Sequence, residues 1–336
     1  MIVDIIGGLG NQLFCYAFAR ALKERSGAEV RLNVSHYATN DRITEPHRLY
    51  AHATQPSIRR LELAHFAPSL PMLWDFEPKA YFKAQDSLYT ARKLLAQLLP
   101  RKYRKHPFKH RYTDDSPLES LLQSSASLDP RSYFQGYFQN PAYFRSIAPI
   151  LRTELTLQAP LPPSNIAFLE SIRAQKESCF VHIRRGDYLA SANSYFLKLG
   201  KPYYERAFEI LKTRKPQAHL FIFSNDMPWC RQHFTQGQTQ GDISSDRIST
   251  LGLPFSFVEG NDEGAASFEL ELMRACKNGV SANSSLSWWA GYLAAREDSL
   301  IITPARATSL DNEHSPFIHQ APTLGKGAQW LAIPPL

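Results

Sequence analysis

The sequence predicts an α/β protein in two halves, each built from short parallel strands and helices. Three observations lead there. The chain opens on an apolar run at residues 2–6, a glycine-rich turn and a helical pattern. A proline cluster, Pro160-Leu161-Pro162-Pro163, divides the chain near its middle. Beyond it, apolar runs alternate with helix-period segments, which argues for a parallel, doubly wound sheet. The 336 residues leave room for two domains of ~100–200 residues each. The expected division is 1–160, 164–305 and a tail at 306–336, with a ligand in the cleft between the halves.

In chain order, the first strand at 2–6 runs into Gly7-Gly8-Leu9-Gly10-Asn11-Gln12. Apolar residues Leu13, Phe14, Ala17, Phe18, Ala21 and Leu22 then give helical spacing over 13–25, and Gly27 is a fitting stop. Strand, glycine turn and helix form a geometry in which backbone N–H groups receive an anion. The turn is not GxGxxG, and no acid ends a clear second strand, so a dinucleotide fold is a poor match. From about 42 to 163 the chain is irregular and rich in Pro, His and aromatics, with helical pieces at 56–66 and 86–99. After the linker, strands are expected at 179–183, 219–223, 255–258, 279–282 and 300–303. Helices fall at 203–212, 266–277 and 286–296, and 232–249 reads as a polar loop.

Composition excludes several classes. With 43% hydrophobic and 21% charged residues the chain is ordinary for a soluble globular protein. No apolar run approaches the ~20 residues of a membrane span. The N-terminus lacks a basic n-region, so no signal peptide and a cytoplasmic location are expected. The four cysteines (Cys15, Cys179, Cys230, Cys276) have no CxxC spacing and read as buried, reduced thiols rather than a disulfide or zinc framework. The net charge of +7 is uneven, with six Lys and Arg residues inside 101–111. An amphipathic helical pattern at 91–99, ended by Pro100, precedes that run within an insertion at about 85–115. Peripheral contact of 91–111 with an anionic membrane is one reading. A solvated insertion whose leucines pack on the parent domain is the other. No nucleic-acid motif accompanies the patch, and nucleic acid is not expected.

The chemistry concentrates in His182-Ile183-Arg184-Arg185-Gly186-Asp187-Tyr188, directly after a predicted buried strand. A guanidinium is always charged and offers a planar fork of donors matched to phosphate oxygens. Parallel sheets bind ligands outside the carboxyl ends of their strands, so Arg184 and Arg185 point to a phosphorylated ligand. Arg185 is either a second clamp or the partner of Asp187. His182 at a strand end is either structural or a ligand contact. Asp226 is either a helix cap or a binding group. Asn283, Ser284, Ser285 and Ser287 precede a helix, where they can cap it or hold phosphate oxygens, one of the serines acting as the cap. Trp288 and Trp289 read as domain core. Gly8 and Gly10 allow close backbone approach, and Asn11 either donates to phosphate or sugar oxygens or caps the first helix.

Four segments together resemble the α-1,2-fucosyltransferase family, glycosyltransferase family 11. Gly7-Gly8-Leu9-Gly10-Asn11-Gln12-Leu13-Phe14 is similar to its opening motif, and the double-arginine segment to its HxRRxDY signature. Phe223-Ser224-Asn225-Asp226 resembles its FS[DN]D strand end, and the segment from Ser281 to Ala290 its ANSSFSWW motif. Leu286 stands where Phe is usual, and Ala290-Gly291 replaces Gly-Ala. Residues 42–135 match little of the family, which leaves acceptor specificity unassigned. The resemblance implies a GT-B arrangement of two Rossmann-like domains, an N-terminal acceptor side and a C-terminal donor side. It implies inverting transfer of fucose from GDP-fucose to a β-galactoside without a metal. The absence of a DxD placed between phosphates agrees with that. Arg184, Arg185 and Asp187 are then the expected catalytic residues. Gly8, Gly10, Asn11, His182, Arg184, Ser224, Asp226, Asn283, Ser284, Ser285 and Ser287 are expected to bind the donor. Asp187 is either the general base or held as an ion pair; Asp4, Asp41 and Glu45 are other acids of the first half. A different linkage, or a nucleotide-binding or membrane-surface module without catalysis, are the alternatives.

Overall fold

The protein, seen in a computed structural model, is described at residues 1–38, 60–98, 100, 106–116, 118–123, 128–189, 195–235, 247–261, 264–308 and 328–335. Asp41, Glu45 and the basic residues 101–105 lie outside the described residues, as does the side chain of Asp187. Two compact units divide between Leu155 and Thr156, a few residues before the proline cluster.

The first unit carries five strands: β1 (Ile2–Asp4), β2 (Arg31–Asn33), β3 (Met72–Leu73), β4 (Arg111–Tyr112) and β5 (Tyr133–Phe134). They form one sheet in the order β3-β2-β1-β5-β4, every pair parallel. The irregular reading of 42–163 is therefore corrected: three strands lie in it, each only two residues long, too short for period-2 alternation to register. Its helices are α1 (Leu9–Ser26), α2 (Ser35–Ala38), α3 (Pro78–Gln85), α4 (Tyr89–Gln97), α5 (Leu118–Gln123) and α6 (Ala148–Glu154). A 3-10 turn at Glu62–His65 occupies part of the helix expected at 56–66. The unit's core is strongly aromatic. Phe18 stacks on Phe138 at 4.1 Å, and Phe82 on Phe108 at 4.7 Å, arrangements worth more than their buried area alone.

The second unit holds β6 (Ser178–Ile183), β7 (His219–Ser224), β8 (Phe234–Thr235), β9 (Ile248–Ser249), β10 (Phe255–Phe257), β11 (Asn278–Val280), β12 (Leu300–Pro304) and β13 (Gln329–Ile333). Its helices are α7 (Pro163–Ala174), α8 (Lys201–Arg214), α9 (Met227–His233), α10 (Ala266–Ala275) and α11 (Ser285–Ala294). The six-stranded sheet runs β10-β7-β6-β11-β12-β13, all parallel, which is the doubly wound order with its switch point between β6 and β11. β13 corrects the expected tail at 306–336: its strand completes the sheet beside β12. The polar-loop segment ends in β8 and β9, a separate parallel pair. One face of the sheet (Cys179, Val181, Ile183, Leu220, Ile222) packs on Tyr203, Tyr204, Ala207, Phe208 and Leu211 of α8. Trp289 and Trp288 are buried on α11, as core side chains. All four cysteines are buried and free, and burial pushes the Cys230 thiol up to about 11. Among the described residues no helix is long and apolar enough to cross a membrane.

Candidate functional site

The switch point of the second sheet brings three of the four motifs together. β6 ends at Ile183, so Arg184 and Arg185 leave at its carboxyl end, followed by a 3-10 turn at Gly186–Leu189. β6 and β7 pair in parallel with Ile183 opposite Ser224. Extending that register by two residues sets Arg185 beside Asp226. Arg185 Nε donates to Asp226 Oδ2 at 3.3 Å, and its guanidinium lies 3.9 Å above the Trp229 ring. The Arg185 backbone N–H donates to Asn225 Oδ1 at 3.0 Å. Asp226, forty-one positions on, is thus a partner of Arg185; the alternative partner Asp187, two residues away, has its side chain outside the described residues. Among the described residues the bond of the Arg185 side chain to the protein is made through Nε.

Asp226 does two structural jobs at once. Its Oδ1 accepts from Trp229 N at 3.3 Å, capping α9, and its backbone N–H donates to Ser224 Oγ at 2.9 Å. Ser224 and Asp226, both expected at the donor, therefore build the shelf on which Arg185 rests. Gly186 is needed here: a Cβ at that position would stand 2.2 Å from Asn225 Nδ2. Gly186→Ala forces the exposed Asn225 amide aside and is expected to lower stability by about 0.5–1.5 kcal/mol, the worth of the bond from Arg185 N–H, read by urea unfolding. In a chain already carrying Asn225→Ala, which lacks both the amide and its bond, Gly186→Ala should cost little more; a single variant as stable as the parent contradicts this.

Arg184 is half-buried, with its guanidinium 5.6 Å from the Tyr188 ring. Tyr188 stacks on Phe196 at 4.1 Å and donates from its hydroxyl to Asn283 O at 3.1 Å, tying the arginine turn to the loop after β11. Asn283 is buried, and its Nδ2 donates to Leu197 O and Ala307 O, both at 2.8 Å. Ser287 is fully buried and donates to Ala282 O at 3.2 Å. These two, expected among the donor-binding groups, have these polar atoms bonded to carbonyls of the loop. Ser284 occupies the cap position of α11 without making a side-chain cap bond, so the expected serine cap is absent. The hydroxyls of Ser284 and Ser285 stand at a helix start whose first N–H groups lack intrahelical acceptors, a ready anion site. His182 is buried at 2% exposure, and its Nδ1 has no hydrogen-bond partner among the described residues. Burial and the neighbouring Arg184 charge lower its pKa to about 3, so the imidazole is neutral.

In the first unit α1 begins at Leu9, four residues before its expected start, because the extended backbone of Gly8 serves as its cap. Asn11 therefore sits inside the first turn, not at the cap, and accepts from Gln139 Nε2 at 2.9 Å. Gly10 is buried within the helix. The constrained glycine is Gly7, with φ of 77° and room only for hydrogen, since a Cβ would lie 2.8 Å from Asn11 Nδ2. Sequence reasoning passed over Gln12, a fully buried staple that donates to Gly7 O and Arg60 O and accepts from Leu63 N. A polar residue on an otherwise apolar helix face was the available signal. Asp4 is buried and accepts from Asn33 Nδ2 (2.7 Å), Tyr133 Oη (2.6 Å) and Gln135 Nε2 (3.0 Å), while burial raises its pKa. Its carboxylate anchors the sheet at the carboxyl end of β1.

A recess of about 580 Å³ lies elsewhere in the second unit, lined by residues that include Lys176, Glu177, Arg214, Lys215 and Lys277 at the amino ends of the strands. Glu177 pairs with Lys277 (2.8 Å) and Lys215 (3.4 Å), and no motif residue lines it.

Comparison with known proteins fits the motif geometry. A 25% identity over 315 residues, 89% of this chain and 92% of the relative, links it to an O-antigen biosynthesis glycosyltransferase, WbnK, of Escherichia coli. An α-1,2-colitosyltransferase of Escherichia coli is 30% identical over 179 residues, 51% of this chain and 54% of that relative. The rat (Rattus norvegicus) galactoside α-(1,2)-fucosyltransferase 2 is 25% identical over 60% of this chain and 53% of its own length. The solved fucosyltransferase NodZ from Bradyrhizobium superposes with a TM-score of 0.45 at 12% identity, covering 86% of this chain and 91% of that one. The model of glycosyl transferase family 11 matches residues 1–319, and with that the chain belongs to this family of glycosyltransferases.

Proposed function

We propose that the enzyme transfers L-fucose from GDP-β-L-fucose to the 2-OH of a terminal β-galactoside, with inversion and without a metal. The observation that carries this reading is the pair of guanidinium groups at the switch point, Arg185 pre-set by Asp226 and Trp229 and Arg184 beside it. In the proposed reaction the acceptor oxygen attacks C1 of fucose while the bond from C1 to the β-phosphate oxygen breaks. The electron pair leaves with GDP, so negative charge grows on that oxygen. A fixed guanidinium stabilises this charge more in the transition state than in the ground state. The orphan N–H groups at the start of α11 are placed to share it. The acceptor proton passes to Asp187 or, along a dissociative path with little base assistance, to solvent. Asp4 is unsuited to that task, being buried and already accepting three hydrogen bonds.

Incubation with GDP-fucose and lactose, followed by NMR of the product, tests the reading. An α-1,2-linked fucosyl-lactose is expected, at an undiminished rate in EDTA. GDP release without a fucosylated product removes the transferase assignment for these substrates, and loss of rate in EDTA removes the metal-free mechanism. The identity with an α-1,2-colitosyltransferase supports a second donor reading, a GDP-linked colitose, and the two nucleotide sugars compared at equal concentration decide between them.

A further inference from the structure

We infer that the outer face of α4 docks on an anionic lipid bilayer. The helix is anchored from one side only. Tyr89 is buried, and Arg92 pairs with Asp86 and donates to Pro107 O at 3.0 Å. At 3.6 residues per turn, positions 88, 91, 94, 95 and 98 share the opposite face. There Leu88, Leu94, Leu95 and Leu98 are 59%, 60%, 62% and 82% exposed. The leucines do not pack on the parent domain. Exposure of this kind is local: of the seven large apolar side chains exposed among the described residues, five lie at 74–98, Trp74 included. A contiguous apolar face of this sort marks an interaction surface.

Charge selects the occupant. Between residues 75 and 111 the sequence holds ten Lys and Arg against three Asp and Glu. That excess equals the formal charge of the whole chain, +7, so the remaining residues are balanced. Among the described ones, Lys79 and Lys83 on α3, Lys93 on α4 and Lys109 are exposed. A second copy of the chain would bring the same excess of positive charge against itself. An anionic bilayer answers both features, since leucines enter the headgroup boundary while lysines meet lipid phosphates.

Co-sedimentation of the full chain with vesicles tests this without any sugar donor or acceptor, and so independently of the transferase reading. Binding to phosphatidylcholine vesicles containing phosphatidylglycerol is expected to be at least about tenfold tighter than to phosphatidylcholine alone, and to weaken with salt. Leu94→Ser with Leu95→Ser, both at exposed positions, should lower it about tenfold with an unchanged circular dichroism spectrum. Equal binding by variant and parent, or no binding to the anionic vesicles, overturns the inference. So does a dimer in gel filtration that the leucine variant dissolves, because the face then joins two copies.

Discussion

Arg184→Ala is expected to lower fucosyl transfer by about 100-fold or more while the unfolding midpoint stays close to that of the parent. A loss of that size corresponds to about 2.7 kcal/mol of transition-state stabilisation. The side chain is half-buried at the open end of β6, outside the core formed by Cys179, Val181 and Ile183, so its removal leaves no cavity there. Because charge on the leaving oxygen is larger in the transition state than in the bound donor, kcat should fall more than KM rises. Arg184→Lys retains the charge and loses the planar fork, and an intermediate rate is expected. Arg185→Ala should behave differently. It releases Asp226 and uncovers Trp229, so stability and rate fall together. Near-normal turnover in Arg184→Ala would remove that residue from the mechanism.

The contrast between the two arginines also shows what was legible beforehand. The strands of the second sheet are apolar on both faces and up to six residues long, so β6, β7 and β12 stand out in the sequence. The first sheet uses strands of two or three residues, whose identity depends on partners up to about 130 positions away. Nothing local marks them. The motif residues were found by their chemistry, but their bonds were not. Asp187 is the nearest acid in the chain to Arg185, and parallel pairing brings in Asp226 from forty-one positions on. Equal apolar lengths in β6 and β7 carried that register, and reading the two strands together would have given the pair. Asn283 Nδ2 and Ser287 Oγ bond to loop carbonyls at a depth that sequence does not display directly.

His182 supplies the second large effect, a loss of stability in acid. Its ring is buried, so desolvation first and the Arg184 charge second hold its pKa at about 3. In the unfolded chain the imidazole titrates near the ordinary value of ~6.5. The folded state therefore prefers the neutral ring. The resulting stability is present in full above about pH 6.5 and is lost as pH falls toward 3. The whole shift corresponds to roughly 4–5 kcal/mol, of which about 2 kcal/mol is gone near pH 5. His182→Phe keeps an aromatic ring and removes the titration; the unpartnered Nδ1 means that no hydrogen bond from that atom is lost. Tyr204 still donates to the backbone carbonyl of residue 182. Four of the five tryptophans, Trp229, Trp288, Trp289 and Trp330, belong to the second unit, so tryptophan fluorescence reports mainly the unit that holds His182. The parent should lose stability steeply between about pH 6.5 and 4.5, and the variant, whatever its stability at neutral pH, should show a shallower slope. Buried Asp4 in the first unit, its pKa raised, acts with the opposite sign in both proteins and cancels in their difference. Parallel slopes would mean that the His182 ring is protonated at little cost, and that the buried neutral imidazole does not set the acid limit of this fold.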